Sequence, residues 1–308
     1  MLTSVPFDIL TEDRVSITAT LHAAELPARA RATAPLIGII NAGAGIPAAY
    51  YERFAGFLAD RGIPTLTYDY RGIGRSRPPS LKGFEASVEQ WGSQDCVAVL
   101  KWAMERFPAA RRAVIGHSVG GLVTGFIPDA GLVDHLVFIG GHTGYWGDYA
   151  ARARPGMWLL WHALMPAVTR LVGYFPARRL GLPEDLPAGV ALEWANRRRP
   201  ELWWNLCRSD GTLDQPRIDR LRGRFQAFRG RGLALSVTDD PFATAAATRR
   251  LCDLFQGVTF ERQRWKPADL GLSKVGHFGF FRSRSRLTLW PQVADWLARA
   301  SGSLERRA

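Results

Sequence analysis

Cysteine, lysine and long apolar stretches are all scarce in this 308-residue sequence. Its three cysteines, Cys96, Cys207 and Cys252, are odd in number and far apart, which excludes a disulfide framework and a cysteine-rich metal site. The opening residues lack a basic segment followed by an apolar one, so no signal peptide is expected. A P-loop, a dinucleotide fingerprint and a metal-ligand cluster are also missing. We therefore expect a reduced, cytoplasmic setting and a protein that uses no cofactor and no metal.

Only four of the 40 basic residues are lysines, so arginine supplies almost all of the net charge of +12. A charge of this size can attract nucleic acid, anionic lipid or an acidic substrate. The arginines are scattered, with the longest run at 197–199, and no nucleic-acid-binding module is recognisable. We therefore interpret the charge as a solvated, arginine-rich surface and expect no nucleic-acid partner.

Segments rich in β-branched and apolar residues alternate with stretches of helical periodicity along most of the chain. The predicted strands are residues 4–10, 15–22, 35–41, 64–69, 113–116, 135–139, 232–237 and 258–265. The predicted helices are residues 50–61, 84–107, 243–255 and 287–300. Because strands alternate with helices, we predict an α/β fold whose mostly parallel sheet is covered by helices on both faces.

Residues 145–230 interrupt this alternation, because they contain no clear strand pattern. The segment is rich in tryptophan: Trp146, Trp158, Trp161, Trp194, Trp203 and Trp204. Within it, residues 157–175 are apolar but marginal in length for a membrane span, and polar residues and a proline interrupt them. We predict a helical cap over an active site, with residues 1–144 and 231–308 as the core. A helix that docks on a lipid surface is the rival interpretation, so contact with a membrane surface is not favoured but stays open.

Ser118 lies at the centre of a G-x-S-x-G pattern formed by residues 116–120. The pattern directly follows the predicted strand 113–116 and begins a helical segment, which is the context that a nucleophile elbow requires. The turn of such an elbow is so tight that side chains at Gly116 and Gly120 would collide with the sheet and the helix. We therefore predict that Ser118 is a catalytic nucleophile held above the sheet edge.

A serine nucleophile needs a base, commonly a histidine, and the base needs an acid that orients it. His277 follows the last predicted strand on a glycine-flanked loop, where the chain order serine, acid, histidine would place the base. Among the other five histidines, His142 also follows a strand and is predicted to line the pocket. The acid is expected from the pair Asp239 and Asp240, since both directly follow the strand 232–237 and either could point at His277.

An acyl transfer also needs hydrogen-bond donors for the oxyanion that forms on the substrate. The backbone N–H of Val119, directly after the nucleophile, is predicted to be one donor. The other is expected from the glycine-rich loop after the strand 35–41, with Gly43 as the first candidate and Ala44 as the second. Small residues in this loop also permit a tight turn, and the two roles are compatible.

Several segments together resemble a bacterial subgroup of α/β-hydrolases related to the serine aminopeptidase and monoacylglycerol-lipase branch. They are the loop at 41–45, the D-x-R-G-x-G-x-S segment at 69–76, the elbow, the D-D-P turn at 239–241 and the G-H-F-G-F-F segment at 276–281. Trp91 and Asp95 fit the same subgroup. The resemblance covers residues 35–144 and 232–300 and implies the α/β-hydrolase fold.

The resemblance also distinguishes the two candidate acids, and this sequence departs from the family pattern at one point. It favours Asp240 as the acid, because the acid often precedes a proline in this fold, and Asp239 would then cap the following helix or support the site. The departure is that Asn41, Ala42 and Gly43 stand where His-Gly is common in the oxyanion loop.

The resemblance implies a serine hydrolase with a small-molecule ester substrate. We predict that it cleaves a carboxylic ester with a small or medium apolar acyl group through an acyl-enzyme on Ser118. Ala44, His142 and Trp146 are predicted to contact this substrate. The alternatives are an acyltransferase or a thioesterase that uses the same three residues, and a non-catalytic binding protein on the same scaffold.

Overall fold

The computed structural model of the chain describes residues 2–3, 5–24, 35–201, 206 and 212–302. Its strands in chain order are β1 (Leu2–Thr3), β2 (Pro6–Leu10), β3 (Ser16–Ala24), β4 (Leu36–Asn41), β5 (Thr65–Tyr68), β6 (Arg111–His117), β7 (His135–Ile139), β8 (Tyr174–Phe175), β9 (Leu186–Pro187), β10 (Gly230–Val237) and β11 (Val258–Trp265). A central sheet has the order β1, β3, β5, β4, β6, β7, β10, β11, with β2 paired to β3. From β5 to β11 in that order neighbouring strands are parallel, whereas β3 pairs antiparallel with β1, β2 and β5. The predicted mostly parallel sheet is confirmed.

The central strands are buried on both faces, and the side chains of β4 and β7 are mostly apolar. Every residue of β4, β5 and β7 is buried, which requires cover on both sides of the sheet. By contrast, the residues of β11 are all exposed or only partly buried, as expected for a strand at the edge of the sheet. The sheet core therefore lies around the strands that carry the candidate site residues.

The described residues form ten α-helices, which include helices close to all four predicted ranges. In chain order they are α1 (Glu52–Ala59), α2 (Val88–Gln90), α3 (Val97–Arg106), α4 (Gly120–Thr124), α5 (Arg154–Leu159), α6 (Met165–Val172), α7 (Ala188–Ala195), α8 (Gln215–Ala227), α9 (Ala245–Cys252) and α10 (Leu289–Ala300). A π-helical turn (Trp91–Cys96) joins α2 to α3, and another (Leu160–Leu164) joins α5 to α6. The helix predicted from residue 84 begins later, because the Ser87 side chain accepts the N–H of Gln90 and caps α2.

Between β7 and β10, the described residues form α5 to α8 and a small antiparallel sheet of β8 and β9. The sequence predicted no strand here, since two-residue strands are too short to show an alternating pattern. Trp203, Trp204 and Cys207 of the predicted cap lie outside the described residues. Within the described ranges, none of the helices has the length and apolar character needed to span a bilayer.

The candidate site residues gather at one edge of the sheet, because parallel strands all end on the same side. Ala44 follows β4, Ser118 follows β6, His142 follows β7 and Asp240 follows β10. Since β4, β6, β7 and β10 are consecutive neighbours in the sheet, the loops that follow them meet at this edge.

Candidate active site

Ser118 has a backbone φ of +56°, a left-handed conformation that residues other than glycine rarely adopt. A Cβ on Gly120 would lie 2.1 Å from the carbonyl oxygen of Asn41, and a Cβ on Gly116 would lie 2.5 Å from the backbone nitrogen of Gly121. The two glycines are therefore required by close packing between the sheet and α4, as the sequence predicted. This packing holds Ser118 in its strained conformation at the sharp turn.

The hydroxyl of Ser118 takes part in a chain of hydrogen bonds with His277 and Asp240. Ser118 Oγ lies 2.9 Å from His277 Nε2, and His277 Nδ1 lies 2.8 Å from Asp240 Oδ2. All three residues are buried. The structure thus brings together three side chains from distant parts of the chain, in an order that permits proton transfer from the hydroxyl to the imidazole.

Asp240 is held as a carboxylate by its surroundings. Burial by itself raises the pKa of this carboxyl, but contact with His277 and backbone N–H groups of Ala243 and Phe242 lower it to about 2. The ionised carboxylate accepts a hydrogen bond from His277 Nδ1–H, which leaves Nε2 of a neutral ring free to accept from the Ser118 hydroxyl. The arrangement therefore places a base at the nucleophile.

Asp239 hydrogen-bonds to the loop that carries the imidazole. Asp239 Oδ2 accepts hydrogen bonds from the backbone N–H groups of Val275 and Gly276, at 2.9 and 3.0 Å. The N-terminus of α9 is capped by Thr244 instead. Of the two supporting roles considered for Asp239, the structure therefore favours the one at the base loop.

A buried tyrosine that sequence reasoning did not single out, Tyr51, links the oxyanion loop to the elbow. The N–H of Gly43 donates to Tyr51 Oη at 2.8 Å, and Oη lies 2.8 Å from His117 Nδ1. His117 Nε2 lies 3.1 Å from the carbonyl oxygen of His277, which can only accept, so Nε2 carries the ring proton. Burial lowers the pKa of His117 to about 3, so the ring is neutral and its Nδ1 accepts from Tyr51. One tyrosine and one histidine thus connect three loops of the site.

This link changes the candidate for the second oxyanion donor. Gly43, the first candidate from the sequence, already donates its N–H to Tyr51. The N–H groups of Ala44 and Val119 have no acceptor among the described residues, and Ala44 lines the cavity next to Ser118. We therefore correct the second donor from Gly43 to Ala44. The sequence ranked Gly43 first and carried no sign that its N–H is occupied, because the acceptor Tyr51 lies outside the loop.

His142 contacts the hydroxyl of Ser118 directly, which is closer than the sequence predicted for a residue lining the pocket. His142 Nε2 lies 3.1 Å from Ser118 Oγ, and its backbone N–H donates to the carbonyl oxygen of Ser118 at 3.4 Å. The ring Nδ1 accepts the N–H of Gly144 at 3.0 Å. Burial and the nearby His277 hold the pKa of His142 well below its ordinary value, so the ring is neutral.

A cavity of about 240 Å³ opens onto Ser118, His142 and His277. Its other walls are largely apolar and include Met157, Leu160, Trp161, Phe175, Trp194 and Phe242. An acidic wall residue, Glu184, is paired with Arg77 and Arg178 at 2.9 and 2.5 Å, which neutralises its charge. Within the described part of the chain, no group of three or more His, Cys, Asp or Glu side chains is arranged to hold a metal ion. The cavity therefore presents polar, proton-transferring groups to an apolar space.

Trp146 does not line this cavity, in contrast to the prediction from the sequence. Its ring packs against the rings of Tyr145 and His162. Two other tryptophans of the same segment, Trp161 and Trp194, line the cavity and pack edge-to-face with ring centroids 4.9 Å apart. We therefore replace Trp146 with these two residues. Which tryptophan faces the cavity depends on how the helices pack, and composition carries no signal for it.

The D-x-R-G-x-G-x-S segment fastens parts of the fold together. Arg71 Nε lies 2.7 Å from Asp95 Oδ1, and the guanidinium Nη atoms lie 2.5 and 2.8 Å from the carboxylate of Asp13. Trp91 Nε1 donates to the carbonyl oxygen of Arg71 at 3.2 Å. Because Arg71 and Asp95 are fully buried, this charged contact joins the loop after β5 to the π-helical turn.

Comparison with known protein families identifies a match to part of this chain. The model of the family described as serine aminopeptidase, S33, matches residues 37–171. This range contains Ser118, Ala44 and His142, whereas Asp240 and His277 lie beyond it. The comparison with curated proteins found no match.

Solved structures share the fold at low sequence identity. An esterase from Pyrococcus furiosus is 14% identical, with a TM-score of 0.57 over 98% of this chain and 94% of its own. An esterase from Thermogutta terrifontis is 12% identical, with a TM-score of 0.56 over 96% of this chain and 99% of its own. A puromycin hydrolase is 18% identical, with a TM-score of 0.59 over 98% of this chain but 40% of its own. These shared folds and the sheet order show that the chain has the α/β-hydrolase fold, as the sequence predicted.

Proposed function

We propose that this chain is a serine hydrolase that cleaves a carboxylic ester with a small or medium apolar acyl group. The observation that carries the proposal is the hydrogen-bond chain from Asp240 through His277 to Ser118, at the wall of an apolar cavity. A serine activated in this way attacks acyl groups and forms an acyl-enzyme. The esterases among proteins of similar fold agree with this activity.

In the first half of the proposed reaction, His277 Nε2 takes the proton of Ser118 as Oγ attacks the ester carbonyl carbon. The carbonyl π electrons move to the oxygen, which accepts hydrogen bonds from the N–H groups of Val119 and Ala44. When this intermediate collapses, the alcohol leaves with the proton that His277 holds. Asp240 stays ionised throughout and stabilises the imidazolium, in keeping with its pKa of about 2.

In the second half, a water molecule attacks the acyl-enzyme in the same way. His277 takes a proton from the water, the same two N–H groups receive the oxyanion, and the carboxylic acid leaves as Oγ of Ser118 regains its proton from His277. Because every proton taken by His277 is returned, the protein ends the cycle unchanged.

The segment 145–230 is proposed to act as a cap that supplies the acyl pocket. Its residues Trp161, Trp194 and Leu160 form part of the apolar wall of the cavity that opens onto Ser118, His142 and His277. The cavity of about 240 Å³ is slightly smaller than the roughly 300–1,000 Å³ of sites for drug-sized ligands. This size supports a small or medium acyl group as the natural substrate.

Kinetics on p-nitrophenyl esters of increasing acyl length test the pocket. We expect kcat/KM to rise by up to about 4-fold for each methylene that fits, since a buried methylene contributes about 0.8 kcal/mol, and then to fall. Trp161→Ala should move the optimum to longer chains, whereas Trp146→Ala, outside the cavity, should leave it in place. A flat series in monomeric solution with strong activation by lipid vesicles would contradict the pocket and favour the lipid-docking interpretation.

The Ser118→Ala variant tests the chemistry. We expect turnover to fall by about 10⁴-fold or more while the circular dichroism spectrum is unchanged, and a fluorophosphonate should label the wild type but not the variant. Labelling that survives the substitution would refute Ser118 as the nucleophile. Transfer of most acyl groups to an added alcohol would favour an acyltransferase, and a preference for the matched thioester would favour a thioesterase. Absence of both turnover and labelling would favour a binding protein.

A further inference from the structure

Two imidazole rings contact the same hydroxyl oxygen in this site. Ser118 Oγ lies 2.9 Å from His277 Nε2 and 3.1 Å from His142 Nε2. A hydroxyl has one proton to donate, so it cannot donate to both rings, and at least one ring must donate to the oxygen if both contacts are hydrogen bonds. The partners of the two rings decide which is which.

The partner of His277 makes this ring the acceptor. The carboxylate of Asp240 accepts a hydrogen bond from His277 Nδ1–H, so Nε2 of the neutral ring has a lone pair for the hydroxyl proton. The partner of His142 has the opposite effect. Its Nδ1 accepts the backbone N–H of Gly144 at 3.0 Å, so the proton of the neutral ring is on Nε2 and points at Ser118 Oγ.

The position of His142 is set from several sides. Its backbone N–H donates to the carbonyl oxygen of Ser118, and its ring packs edge-to-face on Tyr149 and Trp194, with centroids 5.6 and 6.3 Å away. The residue is only 3% exposed. A donor held this firmly meets the requirement that groups acting on a transition state be pre-organised.

We propose that His142 is a catalytic hydrogen-bond donor whose Nε2–H stabilises negative charge on Ser118 Oγ. As His277 removes the hydroxyl proton, charge develops on Oγ and the bond from His142 becomes charge-assisted, so it is stronger in the transition state than in the resting enzyme. The same bond acts in deacylation, when Oγ leaves the acyl carbon and His277 returns the proton. The inference rests on the proposed function, because it concerns the same nucleophile.

The first test compares variants of His142 by their rate of acylation. We expect His142→Phe to react with a fluorophosphonate about 10- to 100-fold more slowly, because it keeps the ring shape but lacks the donor. His142→Gln, which offers an amide N–H, should recover most of the rate. The control is His135→Phe at the other end of β7, a buried histidine whose ring nitrogens have no described partner, and it should react at the wild-type rate.

Two outcomes of that comparison would overturn the proposal: a wild-type rate in His142→Phe, or a rate in His142→Gln as low as in His142→Phe. A further comparison distinguishes a hydrogen-bond donor at His142 from a second base at the same position. If His142 were a base, His277→Ala would keep activity that disappears when His142→Phe is added. We expect His277→Ala and the double variant to be equally inactive.

The second test measures the tautomer and the protonation state of His142 by NMR in the wild-type protein without any substrate. In ¹⁵N-histidine-labelled protein, two-bond correlations should show a neutral ring with the proton on Nε2, unchanged between pH 5 and 8. A proton on Nδ1, or titration within this range, would overturn the proposal. Because this measurement needs no turnover, it distinguishes failure of the His142 assignment from failure of the proposed ester hydrolysis.

Discussion

Replacing Tyr51 with phenylalanine removes one hydroxyl that satisfies two buried polar groups. Tyr51 Oη accepts the N–H of Gly43 and donates to Nδ1 of His117, each across 2.8 Å. Gly43 and His117 are both buried, and Tyr51 itself is 1% exposed. Phenylalanine fills the same space, so the packing is retained and the hydrogen bonds alone are lost.

The size of the loss in the free energy of unfolding follows from the two buried groups that lose their hydrogen-bond partner, the N–H of Gly43 and Nδ1 of His117. A buried donor or acceptor that loses its partner costs about 1–3 kcal/mol, and this substitution leaves one of each. The variant ring is itself easier to bury than the tyrosine, which offsets part of the loss. We therefore expect the free energy of unfolding to fall by about 3 kcal/mol.

Urea denaturation of two matched variants measures this effect. Tyr149 is as deeply buried as Tyr51, but its hydroxyl has no hydrogen-bond partner among the described residues. Tyr149→Phe should therefore leave the free energy of unfolding unchanged or raise it by about 1 kcal/mol. Equal losses in the two variants, or a loss below about 1 kcal/mol in Tyr51→Phe, would refute the account of Tyr51 as the link between the loops.

Two further pairs of substitutions test the roles of four aspartates. Asp240→Asn should lower kcat by about 10⁴-fold, because an amide favours the wrong tautomer of the imidazole, whereas Asp239→Asn should act mainly on thermal stability; the reverse pattern would exchange their roles. Asp95→Asn should lower the free energy of unfolding by about 3 kcal/mol, because it leaves the buried Arg71 with one charged partner, the half-exposed Asp13. The control is Asp253→Asn in an exposed ion pair, which should lower the free energy of unfolding by less than about 1 kcal/mol. If chemical denaturation shows similar losses for Asp95→Asn and Asp253→Asn, the stabilising effect of burial is contradicted.

The sequence by itself determined the fold class and the identity of the main candidates. Strands and helices alternate with clear periodicity, and parallel strands follow from that alternation whatever the side chains touch. Ser118 was predictable because the elbow imposes glycines at short, fixed distances along the chain. Chain order predicted His277 and left Asp239 and Asp240 open, and the resemblance favoured Asp240. In the structure Asp240 hydrogen-bonds to His277, and His277 hydrogen-bonds to Ser118.

What only the tertiary structure decided concerns pairs of residues that are far apart in the chain. The availability of Ala44 rather than Gly43 depends on Tyr51, and Tyr51 in turn meets a histidine 66 residues away. His142 contacts the Ser118 hydroxyl because neighbouring loops pack together. Trp161 rather than Trp146 lines the cavity because of how the helices pack. Periodicity and motifs report what a segment requires of its own backbone, whereas a hydrogen bond between two loops exists only once the sheet has brought their strands side by side.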